Sequence, residues 1–290
     1  MRLFIAVLAI ASAVWLIGKP WTEHQSAPKP TPKSKFLFSL ANEAISESSG
    51  VAAGIRNQDV YWTHNDSGGK AEVYAFNAQG EDVGTFTLDG VDARDIEDMA
   101  SMRVDGVSYL YLGDIGDNLK NQKAVRVHRF LEPDVKASNR RVQVETYTVS
   151  YPDGSHNAEA LMVSPVGDIY IVTKDDAGNS GVYQLPKPNG PGKYTMRKMG
   201  SLKMEGGNVY SRQVTGGDVS MDGRKVVVRT YFSVQLYSAE RIEEFHNSKP
   251  VSLPVPFERQ GEAVCFDTRN DRLITTSEGS PCRVSSISLP

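Results

Sequence analysis

Cysteine is almost missing from this chain, with two in 290 residues, Cys265 and Cys282. A small scaffold stapled by several disulfides is thereby excluded. The nucleophile elbow GxSxG, the phosphate-binding Walker A loop and the zinc motif HExxH are all lacking. His64 and Ser67 lie close in sequence, but no motif supplies a third member of a hydrolase triad. His24, His128, His156 and His246 have no metal-ligand spacing, which disfavours zinc and copper. Positive charge is also scarce. Beyond residue 35 the chain carries 27 basic and 34 acidic residues, a net of −7, with no basic run. Phosphate backbones are gripped by clustered Lys and Arg, so nucleic acid is not an expected partner.

The chain has the makings of an ordinary folded domain, 40% hydrophobic and 23% charged. Its N-terminus is different. After Arg2, residues Leu3–Gly18 form one apolar run, which reads as a signal peptide or an uncleaved signal anchor over residues 1–18. The run is a little short of the roughly 20 apolar residues of a spanning helix. Any membrane contact is expected through this segment alone, and the domain beyond it is expected outside the cytoplasm, periplasmic or secreted. Residues 19–35, with 25-QSAPKPTPKSK-35, read as a semi-extended tether. In an exported chain the two cysteines are read as a disulfide, Cys265 to Cys282; the other reading is two small buried hydrophobes.

From residue 36 to 290 the sequence repeats. Five segments, 49-SGVAAGIRNQDVYWTHND-66, 97-EDMASMRVDGVSYLYLGDIGD-117, 159-EALMVSPVGDIYIVTKDD-176, 215-TGGDVSMDGRKVVVRTYF-232 and 262-EAVCFDTRNDRLITTSEG-279, share one pattern. Each opens on a small or acidic residue and continues as a short apolar strand, a turn and a second strand. Third and fourth strands follow in each copy, except that the fifth runs out of chain after three. Segments of about four strands at this spacing predict propeller blades. The unused stretch 36-FLFSL-40 can complete the fifth blade and remove an exposed edge. The expected fold is therefore all-β, a five-bladed β-propeller closed by an N-terminal strand. The one helical signal is 239-AERIEEF-245.

The first strand of a blade lines the central channel, so the openers Ser49, Glu97, Glu159, Thr215 and Glu262 are expected to converge on the axis. Three unpaired carboxylates close together are costly. Five oxygens of this kind suit a hard cation, Ca²⁺, which takes 6–8 oxygen ligands. The second strand of each blade returns its polar end to the same face. His64, Asp66, Asp114, Asp117, Asn118, Lys174, Asp175 and Arg229 are expected there as a ligand-binding face, with Lys174 and Arg229 holding negative charge.

The Ser–Glu–Glu–Thr–Glu order around five blades resembles the calcium site of the calcium-activated nucleotidase (apyrase) propellers. The segment 109-YLYLGDIGDN-118 is loosely similar to that family's second-blade strand and glycine-containing loop. The resemblance implies a channel Ca²⁺ on Ser49, Glu97, Glu159, Thr215 and Glu262, and carries over no nucleotide-contacting residue. The strings 62-WTHNDSG-68, 113-GDIGDN-118 and 260-QGEAV-264 also resemble an exported bacterial propeller family without assigned activity. The expected function is a monomeric calcium-binding propeller that binds a polar or anionic small molecule or an envelope protein. The alternative is a Ca²⁺-dependent hydrolase of phosphoesters or phosphoanhydrides.

Overall fold

The computed structural model describes residues 31–66, 70–256, 258 and 260–290. The signal segment and most of the tether lie outside the described residues. Strand β1 (Ser34–Ser39) begins two residues inside the stretch read as tether.

The strands fall into five sheets, antiparallel apart from one added edge strand in each of two, and each led by its innermost strand. Blade 1 holds β2 (Ser48–Ala53), β3 (Val60–Asn65), β4 (Glu72–Asn77) and β5 (Asp82–Leu88). Blade 2 holds β6 (Ile96–Val104), β7 (Val107–Asp114) and β8 (Val125–Leu131). The chain then makes β9 (Arg141–Val142) before β10 (Glu145–Ser150) completes the blade. Blade 3 holds β11 (Ala158–Val163), β12 (Ile169–Thr173) and β13 (Asn179–Leu185); the chain then makes β14 (Gly192–Thr195) before β15 (Arg197–Lys203) completes the blade. Blade 4 is β16 (Val214–Val219), β17 (Lys225–Thr230), β18 (Val234–Ser238) and β19 (Val251–Leu253). Blade 5 is β20 (Gly261–Phe266), β21 (Arg272–Ser277) and β22 (Arg283–Ser288), closed by β1 lying antiparallel on β22. The helical signal becomes a 3-10 segment at Ile242–Asn247.

Two short strands depart from the repeat. β9 adds parallel to the outer edge of blade 1 and β14 parallel to the outer edge of blade 2. Each is drawn from the connection of the following blade and covers an edge that would otherwise present unpaired backbone groups. Among the described residues no helix is long and apolar enough to cross a membrane.

The blades pack face to face through alternating apolar residues. One core joins blades 2, 3 and 4 through residues such as Tyr111, Met162, Tyr183 and Val228, all buried. Smaller cores sit between blades 1 and 2 around Trp62 and Phe86, between blades 5 and 1 around Phe76 and Ile274, and between blades 4 and 5 around Phe266. The innermost strands β2, β6, β11, β16 and β20 each pack on the next, and β20 packs on β2, which closes the ring. The β6–β7 hairpin turns on Asp105-Gly106, both at positive φ (50° and 81°). That is the backbone a two-residue type I′ turn requires, and Asp-Gly is its favoured sequence.

The expected Cys265–Cys282 disulfide is not formed, and both thiols are free and buried. Cys265 lies on β20 and Cys282 just ahead of β22, with β21 between those strands. Strands two apart in a sheet are about 9.5 Å apart, beyond the reach of a disulfide. The two residues serve as small apolar fillers of the core between blades 5 and 1.

Candidate functional site

One local irregularity recurs in all five blades. The pairing of the innermost strand with its neighbour slips between Ser48 and Gly50, Ile96 and Asp98, Ala158 and Ala160, Val214 and Gly216, and Gly261 and Ala263. The extra residues are Ser49, Glu97, Glu159, Thr215 and Glu262. A β-bulge leaves one residue out of the ladder and re-aims its side chain. The five openers are thus the bulged residues of a five-fold device, all at one end of the axis and all buried.

The hydroxyl and carboxylate openers behave differently. Ser49 Oγ donates to the Glu97 carbonyl at 2.6 Å, and Thr215 Oγ1 donates to the Gly261 carbonyl at 3.2 Å. Each stitches its blade to the next. Glu159 instead accepts from the Lys174 ammonium, which also donates to the Tyr231 hydroxyl at 3.0 Å and stands 5.1 Å from the centre of that ring. Glu97 is 5% exposed and has no side-chain hydrogen bond among the described residues. Its carboxylate points toward Asp66 and Asp95, and one oxygen of each of the three lies within 4.8 Å of the others. Gly116, from the GDIGDN loop, closes over this trio. A Cβ there would stand 2.3 Å from both Asp95 Oδ2 and Glu97 Oε1, so any larger residue would displace both carboxylates.

The electrostatics follow from burying many acids around one base. Burial first, then Glu159, Asp66 and Asp95, holds the Glu97 carboxyl well above the usual range. Burial pushes Glu159 up to about 7 despite Lys174, and pushes Glu262 up to about 8 with Glu159 and Glu278 adding to it. Burial works against the Lys174 charge, but Glu159 and Tyr231 outweigh it and raise the ammonium above its ordinary value. Both partners of the Lys174–Glu159 pair move upward, Glu159 chiefly through burial and Lys174 through Glu159 and Tyr231. Lys174 is therefore a fixed positive charge, unsuited to act as a nucleophile or base.

The structure brings Asp66 and Lys174 to the openers but gives the other expected face residues structural work. Arg229 is fully buried. It pairs with Glu258 and donates to the Ala263 carbonyl at 3.1 Å. Gly261 makes the room, since a Cβ there would lie 1.6 Å from Arg229 Nη2. His64 is also fully buried against Gly50, and burial lowers its pKa to about 4, so it is neutral and withdrawn from the face. Asp114 is buried beneath Arg126, whose Nε donates at 2.8 Å. Asp117 accepts the Asn121 and Gln122 amides at 3.0 and 2.8 Å. Asn118 accepts from Asn157 at 3.2 Å, and Asp175 caps the Asn179 amide at 3.0 Å. These four hold loops in shape.

Asp95, Asp98, Asp218 and Glu258 carry weight that the repeat pattern did not reveal. Below the openers, Asp98 spans three blades: its carboxylate accepts the amides of Met99 at 2.8 Å, Leu161 at 2.9 Å and Gly217 at 3.2 Å. Asp218 accepts Val219 and Phe266 amides, both at 2.8 Å. The acid-dense run 92-DARDIED-98 was the available signal for Asp95 and Asp98.

Fold and site define a five-bladed β-propeller with an acidic, lysine-centred cluster at one end of its axis. No family model matches the sequence, and no curated protein is similar to it at a significant level. Among solved structures, the PQQ-bound form of an aldose sugar dehydrogenase from Streptomyces coelicolor superposes with a TM-score of 0.52 at 11% identity, over 90% of this chain and 99% of that one. A gluconolactonase from Xanthomonas campestris gives 0.49 at 12% identity, over 89% and 90%. The first likeness is one of fold alone, and the second adds nothing to it.

Proposed function

We propose that this chain is an exported propeller that binds a divalent cation, Ca²⁺, in the axial cluster and presents that loaded face to a ligand or partner in the cell envelope. The carrying observation is Glu97: a carboxylate 5% exposed, without a hydrogen bond among the described residues, aimed at two further carboxylates. Buried charge needs a partner, and oxygen-only donors select a hard cation. Asp66, Asp95 and Glu97 would hold the ion, and Gly116 would fix the spacing of two of them. Export rests on the apolar run at residues 3–18.

The ligand-binding reading is favoured over Ca²⁺-dependent phosphoester hydrolysis by one observation. The two cations expected to steady a phosphoryl group are engaged, Arg229 with Glu258 and Lys174 with Glu159. A face rich in carboxylates repels anions, so a neutral polar ligand suits it better. The test is thermal unfolding of the purified full chain in Ca²⁺, in chelator and in Mg²⁺, with elemental analysis of the same sample. The expected result is a melting temperature lowered by chelator and restored by Ca²⁺ but not Mg²⁺. An unchanged melting temperature with no metal in the sample overturns the reading.

A further inference from the structure

Lys174 sits among more carboxylates than it can bond. It follows β12 directly, and its backbone amide is fixed to the Asn157 carbonyl at 3.0 Å. From there the side chain reaches inward, 14% exposed, to Glu159 of its own blade and Tyr231 of the next. An ammonium carries three donors. Two are spent on these contacts, and the ring of Tyr231 lies against the charge. Asp95, Glu97, Glu262 and Glu278 make no bond to Lys174, yet its charge favours the ionised form of each. Arg94 acts on Asp95 only, from outside, where it is held by Asp114 and Gln122. Lys174 is thus the interior cation shared by Asp95, Glu97, Glu159, Glu262 and Glu278, while the buried Glu97 still has no bonded partner among the described residues.

We propose that Lys174 is a tethered counter-ion that competes with the divalent cation for the acidic cluster and so sets how weakly the site holds that ion. The inference rests on the cation-site reading above. The ammonium lowers the negative potential that a divalent ion at Asp66, Asp95 and Glu97 would feel, and it withholds Glu159 as a ligand. A cluster of this charge without an internal cation would trap Ca²⁺; with one, binding becomes an exchange between a fixed monovalent and a mobile divalent charge. Tyr231 belongs to the device because its hydroxyl and ring hold the ammonium over the cluster. Lys174 is then a positioning and affinity-setting residue, distinct from a group that contacts the bound ligand.

The experiment is calorimetric titration of the full chain with CaCl₂ at constant ionic strength, for the native protein, Lys174→Met and Lys174→Arg. Coulomb repulsion at a partly buried site predicts a Kd about tenfold or more tighter in Lys174→Met, with Lys174→Arg within roughly threefold of native. Unchanged or weaker binding in Lys174→Met overturns the inference and leaves the calcium reading standing. Absence of binding in the native protein and both variants overturns both. Binding in Lys174→Met alone supports the tethered counter-ion and overturns Ca²⁺ as the native resident ion. Should Lys174→Met not fold, Tyr231→Phe removes one of the two bonds that hold the ammonium. A Kd tighter by a few-fold supports the proposal, and an unchanged or weaker one overturns it.

Discussion

Arg229 offers the sharpest separation between a binding residue and a structural one. Its guanidinium is completely buried, bonded to Glu258 and to the Ala263 carbonyl, and Glu258 in turn accepts from Thr275 Oγ1 at 2.9 Å. Arg229→Ala leaves Glu258, 6% exposed, with Thr275 in place of a charge partner. Removing one member of a buried ion pair costs about 3–5 kcal/mol. For a domain of this size each kcal/mol moves the melting temperature by about 2–4 °C, so the fall should be about 6–20 °C. Urea and thermal unfolding followed by circular dichroism measure it. The double variant Arg229→Met with Glu258→Leu replaces the pair by apolar volume and should recover most of the loss. A single variant that melts within about 1 kcal/mol of native while losing a ligand response would refute this reasoning and return Arg229 to the ligand face.

Gly116→Ala forces the Asp95 and Glu97 carboxylates apart. Calorimetry should record Ca²⁺ binding weakened about tenfold or more, and urea unfolding a stability loss of about 1–3 kcal/mol. Asp218 tests the buried layer beneath: burial raises its pKa to about 7. Because the folded-state value is raised, native stability is undiminished below the unfolded value near 4 and falls as pH rises toward 7. The total is on the order of 4 kcal/mol. Asp218→Asn loses an acceptor at every pH but escapes this slope, so its stability relative to native should improve steadily between pH 4 and 8 in urea titrations; a pH-independent difference would count against the assignment. Gly106→Ala places a Cβ at φ 81° and should cost about 1 kcal/mol by the same measurement, with cation binding unaltered.

The blade pattern was legible because it is a local signal repeated five times: apolar alternation, a turn, apolar alternation. Closure by an N-terminal strand, expected at residues 36–40 and found at Ser34–Ser39, followed from counting strands. The openers were legible for the same reason, although the cause of their inward aim, a bulge at Ser49, Glu97, Glu159, Thr215 and Glu262, lies in cross-strand register that one strand cannot express. The face residues were harder. A polar strand end looks the same whether it reaches into the axial cluster, as Lys174 does, or closes a loop, as Asp117 and Asp175 do. The burial of Arg229 was not legible because its partner, Glu258, comes from a connection outside the repeat. Asp98 and Asp218 were hidden among openers and small residues, since Leu161, Gly217 and Phe266, whose amides they accept, belong to other blades. The edge strands β9 and β14 pair parallel with a preceding blade, and two or four residues carry no period to read.

The closing strand also fixes how the molecule bears load. Ser34 lies opposite Ile287, and the Ser288 amide bonds the Lys33 carbonyl at 2.9 Å, so both ends of the propeller leave the fold side by side. A force applied through the residues before β1 against the rest of the chain would meet the β1–β22 ladder end-on. Its bonds would break singly, like a zipper, rather than together in shear. Blade 5 is therefore the mechanical fuse of the ring. A pull on the N-terminal segment would open it first, while the four sheets that do not share a strand between chain ends would keep their ladders intact.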